Sequence, residues 1–261
     1  MQKAMFTTTE ADIASRCRAV IKPGQYAILP HAQRVESYLP QFNAGVQAKV
    51  MAAPVMGARF VEHELLVEAN GATAEPVVEN LEQFFYVMEG GLEFQIDGKA
   101  HKLRQGSFCW LPPERPYTLS NKNDEQCRML WIRRKYEVIE RLGIPEPIVS
   151  HEDDVKAEPT DTYMEKHLTP YEDPRFDMGI NIQIFDPGVY FTFVESHIME
   201  HGLYMLKGRG IYWLNQEYME VQQDDFIFMA PFCPQFYYST GWDKSAYLLY
   251  KDVNRDYTGD L

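Results

Sequence analysis

An internal repeat is the feature of this chain that most restricts its fold. The segment that begins QFFYVMEGG at Gln83 aligns without a gap with the segment that begins HGLYMLKGR at His201, 118 residues later. The residues identical between the two segments include Tyr86 and Tyr204, Gly90 and Gly208, Pro113 and Pro231, and Pro116 and Pro234. We therefore expect two copies of one folding unit in the 261-residue chain.

Both copies have the pattern of short strands. Runs of Val, Ile, Phe, Tyr and Leu end at Gly, Asp or Pro about every eight to twelve residues, which is typical of all-β sandwiches and barrels. The 16 Tyr and 15 Phe residues also favour strands. Helical patterns occur only in short pieces, such as residues 9–20 and 135–143. The sequence predicts an all-β protein with barrels at about residues 45–135 and 176–252.

The residues between the two copies differ in composition. The segment 146–174 is rich in Pro, Asp and Glu, which is typical of a connecting segment. We therefore place an N-terminal domain at residues 1–145, a connecting segment at 146–175 and a C-terminal domain at 176–261.

Charge and composition argue against several classes of protein. The formal net charge of −13 disfavours a nucleic-acid-binding surface. No apolar run approaches the ~18 residues of a membrane-spanning helix, and residues 1–18 lack the apolar core of a secretory signal. The four cysteines have no CxxC spacing, so we expect four reduced thiols. These features predict a soluble, cytoplasmic protein without nucleic-acid or membrane partners.

Three side chains of metal-binding type lie close together in the second copy. The segment VESHIMEH (194–201) contains Glu195, His197 and His201, whereas the other five of the seven histidines have no nearby His or Cys. HIMEH also matches a zinc-peptidase motif that requires a helix, with Glu200 as the base. The flanking runs VYFTFVE and GLYMLKGRG are typical of strands. We therefore expect Glu195 and His197 to face one side of a strand, and His201 to begin the next strand.

A longer pattern around these residues resembles the two motifs of the cupin family. The pattern runs Gly188-x6-Glu195-x-His197-x3-His201-x6-Gly208, then Asp224-x6-Pro231-x3-Gln235. The resemblance implies a bicupin, with two tandem jelly-roll β-barrels and a few short helices. It also implies one divalent metal in the C-terminal barrel, held by Glu195, His197, His201 and Gln235. The residue types are permuted relative to the usual cupin order, but two imidazoles, a carboxylate and an amide oxygen suit Mn²⁺ or a similar ion.

The first copy provides an internal comparison for this metal site. The positions 118 residues before the four proposed ligands are Val77, Glu79, Gln83 and Tyr117. Valine has no donor atom, and tyrosine is an uncommon ligand for such an ion. We therefore expect the N-terminal barrel to be metal-free.

The whole chain resembles the (S)-ureidoglycine aminohydrolase family of allantoin and purine degradation. The most specific shared features are E-x-H-x3-H, the later Gln235, and the terminal Y-x3-K-D-x-N-R-D pattern that begins at Tyr247. The resemblance implies one Mn²⁺ per chain and conversion of ureidoglycine and water to (S)-ureidoglycolate and ammonia. It also implies catalytic roles for Glu195, Tyr247 and Lys251, with Gln235 joining these three in binding the substrate.

The residues alone leave alternatives open. Tyr247 and Lys251 lie four apart on a predicted strand, so both face one side; they equally fit a core tyrosine and a lysine extending to the barrel rim. Tyr212 is expected to pack in the core. Another metal-dependent cupin enzyme, such as a dioxygenase or isomerase, is a second hypothesis, although Gln235 replaces the histidine usual in dioxygenases. A third hypothesis is a non-catalytic ligand-binding bicupin. Such a protein does not need an intact set of metal ligands, whereas the second copy has one.

Aromatic residues on the outer strands predict self-association. The run PQFYYST (234–240) is an example of apolar surface that antiparallel barrels usually cover by pairing. We expect a homo-oligomer that binds a small-molecule substrate.

Overall fold

The structure, a computed structural model, describes residues 18–255. Within that range the chain forms 21 strands and three 3₁₀ helices. The strands of the first half are β1 (Val20–Lys22), β2 (Tyr26–Leu29), β3 (Glu36–Ser37), β4 (Val46–Ala52), β5 (Phe60–Val67), β6 (Glu82–Glu89), β7 (Gly91–Ile96), β8 (Lys99–Arg104), β9 (Ser107–Leu111), β10 (Tyr117–Ser120) and β11 (Cys127–Arg134). Those of the second half are β12 (Ile148–His151), β13 (Glu158–Pro159), β14 (Met164–His167), β15 (Met178–Phe185), β16 (His201–Lys207), β17 (Arg209–Leu214), β18 (Glu217–Gln222), β19 (Phe226–Met229), β20 (Gln235–Ser239) and β21 (Ser245–Asp252). The 3₁₀ helices are η1 (His31–Gln33), η2 (Pro54–Met56) and η3 (Glu152–Asp154).

The repeat predicted from the sequence is present strand by strand. Strands β5, β7, β8 and β11 lie 118 residues before β15, β17, β18 and β21, and their bounds correspond residue for residue. Each repeat contains one long and one three-stranded antiparallel sheet. The long sheets have the orders β12-β9-β6-β11-β5-β4-β3 and β1-β2-β19-β16-β21-β15-β14-β13. The predicted all-β fold of two tandem jelly rolls is confirmed. In the described range each unit consists of two separate sheets.

The two units exchange edge strands. β2, which precedes the first unit, pairs with β19 of the second unit, and β12, which precedes the second unit, pairs with β9 of the first. The predicted connecting segment thus supplies β12 to one long sheet and β13 and β14 to the other. The boundaries placed at residues 145 and 175 stay a prediction, and hydrogen bonding between strands crosses them.

The helix predicted at residues 135–143 is wrong. These residues leave β11 in an extended path that ends in a turn, where the Leu142 amide donates to the carbonyl of Ile139. The Tyr136 hydroxyl donates to the Arg175 carbonyl (2.7 Å), and the Glu137 amide donates to Asp177 (2.8 Å). The Glu137 amide thus has a partner in the second unit instead of one within a helix. The other predicted helix, residues 9–20, lies mostly outside the described residues, and Val20 begins β1.

Three hydrophobic clusters form the interior. One lies inside each unit, and the largest lies between the two long sheets, which pack face to face. Phe60 of β5 and Tyr250 of β21 meet there, with ring centroids 4.1 Å apart. Cys109, Cys127 and Cys233 are buried and free, whereas Cys17 lies outside the described residues. Among residues 18–255, none of the helices has the length and apolarity required to cross a membrane.

Two buried glutamates at the contact between the units have opposite electrostatic environments. Neither carboxyl oxygen of Glu62 has a hydrogen-bond partner among the described residues, and burial raises the pKa of Glu62 to about 8. Burial would also raise the pKa of Glu64, but Arg34, His31 and Arg128 lower it below its ordinary value. Arg34 and Arg128 lie 2.9 Å and 2.7 Å from the Glu64 carboxylate.

We therefore expect Glu62→Gln and Glu64→Gln to change stability in opposite directions. Folded Glu62 holds its proton more tightly than the unfolded chain does, so its contribution to stability falls as pH rises from 4.5 to about 8. Glu62→Gln should thus raise the free energy of unfolding by a few kcal/mol at pH 8 and by little at pH 5. Glu64→Gln leaves a buried arginine without its partner and should cost ~3 kcal/mol. Urea unfolding of the wild type and both variants at pH 5 and pH 8 measures the free energy of unfolding. Changes of the same sign in the two variants at pH 8 would contradict the prediction.

Candidate active site

All six predicted site residues lie on the wall of one cavity in the second unit. The cavity has a volume of about 170 Å³. Its lining includes Glu195, His197, His201, Gln235, Tyr247 and Lys251. The residues come from a loop before β16 and from β16, β20 and β21, which are distant along the chain.

The backbone around the histidines is not helical, and His201 begins β16 as expected, but Glu195 and His197 lie in a loop rather than in the expected strand. Glu195 and Gln235 form an isolated antiparallel bridge, with backbone N–H···O distances of 2.9 Å and 2.8 Å in the two directions. The carbonyl of His197 accepts a 2.7 Å hydrogen bond from the Phe232 amide. His201 is the first residue of β16. The peptidase-type helix is thus excluded, and Glu200 points away from the cavity, where its carboxylate accepts from the Arg59 amide.

His197, His201 and Gln235 converge on one point. The Nε2 atoms of the two histidines are 3.1 Å apart, and the Gln235 side-chain amide lies 3.0 Å from Nε2 of His197. Burial lowers the pKa of His197 and lowers that of His201 well below 6.5, so both rings are neutral near pH 7. A ring nitrogen makes only one hydrogen bond in its plane, but Nε2 of His197 has two polar neighbours at that distance. A shared divalent cation would satisfy both ring nitrogens and, with the Gln235 amide turned so that its oxygen replaces the nitrogen beside His197, that oxygen as well. These residues therefore fit a metal.

Glu195 lies in the same cavity but is not joined to the histidines. No hydrogen bond between the Glu195 carboxylate and either ring occurs in the described range. Residues 18–255 also contain no cluster of three or more His, Cys, Asp or Glu side chains close enough to hold a metal. Burial raises the pKa of Glu195, while the charge of Lys251 opposes that rise. The structure therefore brings together three of the four proposed ligands and leaves Glu195 facing the same space.

Tyr247 and Lys251 lie on β21 and both face the cavity, as their spacing predicts. Lys251 pairs with His201 on one side and with Gly179 on the other. A Cβ atom at Gly179 would lie 3.1 Å from Cγ of Lys251, so the missing side chain provides room for the lysine stem. Nζ lies 4.4 Å from the ring centroid of Tyr171, at cation–π distance. Burial lowers the pKa of Lys251, and Glu165 and Glu195 counteract this effect.

Sequence reasoning missed three polar residues of the cavity wall, Tyr163, Glu165 and Gln183. The Tyr247 hydroxyl donates to Oε1 of Gln183, and Nε2 of Gln183 donates to Glu165 at 2.9 Å. Glu165 lies in the segment read as a linker. The signal that could have identified Gln183 is its place in the buried strand MGINIQIF, where it and Asn181 alternate with apolar residues. Tyr212 is fully buried in the core, as expected, and also lines the cavity.

The corresponding positions of the first unit are occupied by other contacts. Val77 and Tyr117 form the bridge that corresponds to Glu195 and Gln235. The Glu79 carboxylate accepts from Arg133 at 3.0 Å, and Arg133 occupies the position that matches Lys251. Oε1 of Gln83 accepts from the indole of Trp131 (2.9 Å). Within the described range, Glu79 and Gln83 are therefore bound to side chains of their own unit, whereas the buried Tyr117 hydroxyl has no hydrogen-bond partner.

Comparison with known proteins identifies the family. The cupin domain model matches residues 64–133, which lie in the first unit. The chain is 30% identical to (S)-ureidoglycine aminohydrolase of Escherichia coli over 92% of each chain, and 31% identical to that of Arabidopsis thaliana over 94% of this chain and 81% of the relative. A solved structure, the putative glyoxylate induced protein of Pseudomonas aeruginosa, superposes with a TM-score of 0.85 at 33% identity, covering 100% of this chain and 96% of the other. The chain therefore belongs to the (S)-ureidoglycine aminohydrolase family, hydrolases that act on carbon–nitrogen bonds.

Proposed function

We propose that this protein hydrolyses (S)-ureidoglycine to (S)-ureidoglycolate and ammonia in allantoin degradation. The observation that carries the proposal is that all six residues implied by the family resemblance line one cavity. The named activity of the E. coli and Arabidopsis relatives supports the same reaction. The expected cytoplasmic location stays a prediction.

We further propose that one divalent metal, with Mn²⁺ as the expected ion, binds per chain in this cavity. His197, His201 and Gln235 would hold it, and the carboxylate of Glu195 would complete the set. When bound, such an ion supplies Lewis-acid chemistry to a coordinated substrate. Glu195 would be the only charged ligand, so the bound divalent ion would keep a net positive charge. That charge would favour an anionic substrate.

The remaining polar side chains bind the substrate and move protons. Lys251, partly buried beside Glu165 and Glu195, faces the cavity as a cation suited to the substrate carboxylate. The reaction breaks one C–N bond, delivers a proton to the departing amine and adds water at the same carbon. Glu195, Tyr247 and Lys251 lie on the same cavity wall and are the candidates for exchanging that proton.

Two routes are compatible with these residues. In the first, the ureido nitrogen expels ammonia to leave an imine, and water then adds to one face. In the second, water displaces the amine directly. In both routes a substrate held at its carboxylate by Lys251 and at a second point by the metal-binding side of the cavity would present a single face to water, which would account for one enantiomer of product.

The direct test is ammonia release from freshly generated ureidoglycine by the purified, Mn²⁺-loaded protein, combined with metal analysis. We expect release well above the spontaneous rate. The configuration of the product is read with a ureidoglycolate enzyme of known stereospecificity. A rate equal to the spontaneous rate would contradict the proposed function.

We also expect a homo-oligomer. Several aromatic side chains of the second unit are exposed, among them Tyr190, Tyr238 and Trp242, which is 96% exposed. The rings of Tyr190 and Tyr238 lie 5.9 Å apart and form part of one apolar surface. Light scattering at micromolar concentration measures the mass, for which the 30.4 kDa chain is the reference. A monodisperse monomer would contradict this prediction.

A further inference from the structure

The direction of the Gln183 side-chain amide follows from its neighbours. Oε1 of Glu165 accepts hydrogen bonds from the amides of Gln183 (2.9 Å) and Asn181 (2.8 Å). A carboxylate oxygen only accepts hydrogen bonds, so both amides must direct their NH₂ groups toward it. The opposite end of the Gln183 amide, which faces Tyr247, is therefore its carbonyl oxygen.

This orientation determines how the Tyr247 hydroxyl is used. A phenol has one proton, and the carbonyl oxygen of Gln183 accepts it. Lone pairs of the Tyr247 oxygen then remain. The buried Tyr212 hydroxyl, which interacts with that of Tyr247, can occupy one of them and leaves the other for a ligand. Tyr247, Gln183 and Glu165 all lie on the cavity wall, and Tyr247 and Gln183 are nearly fully buried, so water does not compete readily for these hydrogen bonds.

We infer that Gln183, oriented by Glu165, makes Tyr247 a hydrogen-bond acceptor that selects an N–H group of an amino- or ureido-bearing substrate. Gln183 and Glu165 are positioning residues, since they act through the tyrosine. The carboxylate of the substrate, which has no proton to donate, is left to Lys251. The inference deepens the proposed function and depends on it for the identity of the substrate.

The test is a double-mutant cycle with Gln183→Met, Tyr247→Phe and the double variant. Methionine has a similar volume but no acceptor for the phenol proton. Each single variant should lower kcat/KM for ammonia release by about tenfold or more, the worth of one buried hydrogen bond. The double variant should be no worse than Tyr247→Phe, because the inference assigns Gln183 an effect on the substrate through Tyr247 only.

Ligand binding provides a second measurement that does not require turnover. N-carbamoylglycine and 4-oxopentanoate have the same shape, but the second lacks every N–H group. Calorimetry should show that the wild type prefers N-carbamoylglycine by about tenfold or more, and that Gln183→Met loses most of this preference. A purely structural role for Gln183 would weaken both ligands equally.

The chain contains a matched control. Gln83 of the first unit is also a buried glutamine whose carbonyl oxygen accepts from an aromatic side chain, Trp131. Gln83→Met should lower the unfolding temperature about as much as Gln183→Met while preserving kcat/KM and ligand preference. The inference would be overturned if the kcat/KM losses of the two single variants multiplied in the double variant. It would also be overturned if Gln183→Met kept the wild-type ligand preference. Absence of ammonia release with the predicted ligand preference would instead contradict only the proposed reaction.

Discussion

His197→Ala and His201→Ala are each expected to abolish metal binding and to reduce ammonia release to the spontaneous rate. Each variant removes one of the two imidazoles whose Nε2 atoms are 3.1 Å apart. The remaining ring, the Gln235 amide and the Glu195 carboxylate are too few donors to hold a divalent ion tightly. The loss of activity should be at least on the order of 10³-fold, more than the removal of one charge-stabilising donor. Metal analysis after loading with Mn²⁺ and removal of excess ion measures binding directly.

The repeat supplies the control for this experiment. Glu79 occupies the position of His197 in the first unit, where its carboxylate binds Arg133 at 3.0 Å. Glu79→Ala should leave the metal content at one equivalent per chain and leave ammonia release unchanged. Two equivalents of metal per chain in the wild type would contradict the assignment of the metal to the second unit alone. Loss of metal from Glu79→Ala would contradict it as well.

The fold was predictable to the extent that the repeat is regular. The match at a separation of 118 residues has no gap, so each strand of one unit predicts its counterpart in the other, as β11 and β21 show. The exchange of β2 and β12 between the units was not predictable, because a local pattern indicates a strand but not the sheet it joins. The predicted helix at 135–143 failed for a related reason. The Tyr136 hydroxyl and the Glu137 backbone amide donate to the Arg175 carbonyl and the Asp177 carboxylate, which lie distant in the sequence.

The residues of the candidate site also divide into those that the sequence indicated and those that it did not. Glu195, His197 and His201 lie close together in the sequence and indicated a metal site. Gln235, Tyr247 and Lys251 were identified through the family resemblance, because the residues alone also fit a core tyrosine and a lysine at the rim. Glu165 could not be identified from the sequence, because it lies in a segment whose composition is typical of a linker. Its place in the cavity depends on the pairing of β14 with β15, which is a tertiary contact.

Lys251→Met is expected to retain the metal and the fold but to lose most activity. Methionine preserves the stem that lies against Gly179, whereas the ammonium group beside the Tyr171 ring is lost. One charge-assisted contact to a carboxylate in a shielded cavity contributes about 2–4 kcal/mol, which corresponds to a loss of about 30- to 1000-fold in kcat/KM. Tyr247→Phe should have a smaller effect, because it removes one hydroxyl and keeps the ring packing.

The arginine variant distinguishes charge from shape at this position. Lys251→Arg should restore activity poorly, since a planar guanidinium needs more space than the compact ammonium and approaches a carboxylate in a different geometry. Arg133→Met, at the matching position of the first unit, is the control: it breaks the ion pair with Glu79 and should lower stability without lowering kcat/KM. The assay is ammonia release from ureidoglycine by each Mn²⁺-loaded variant. Wild-type turnover in Lys251→Met would show that the lysine only packs against Tyr171, and that another group binds the substrate carboxylate.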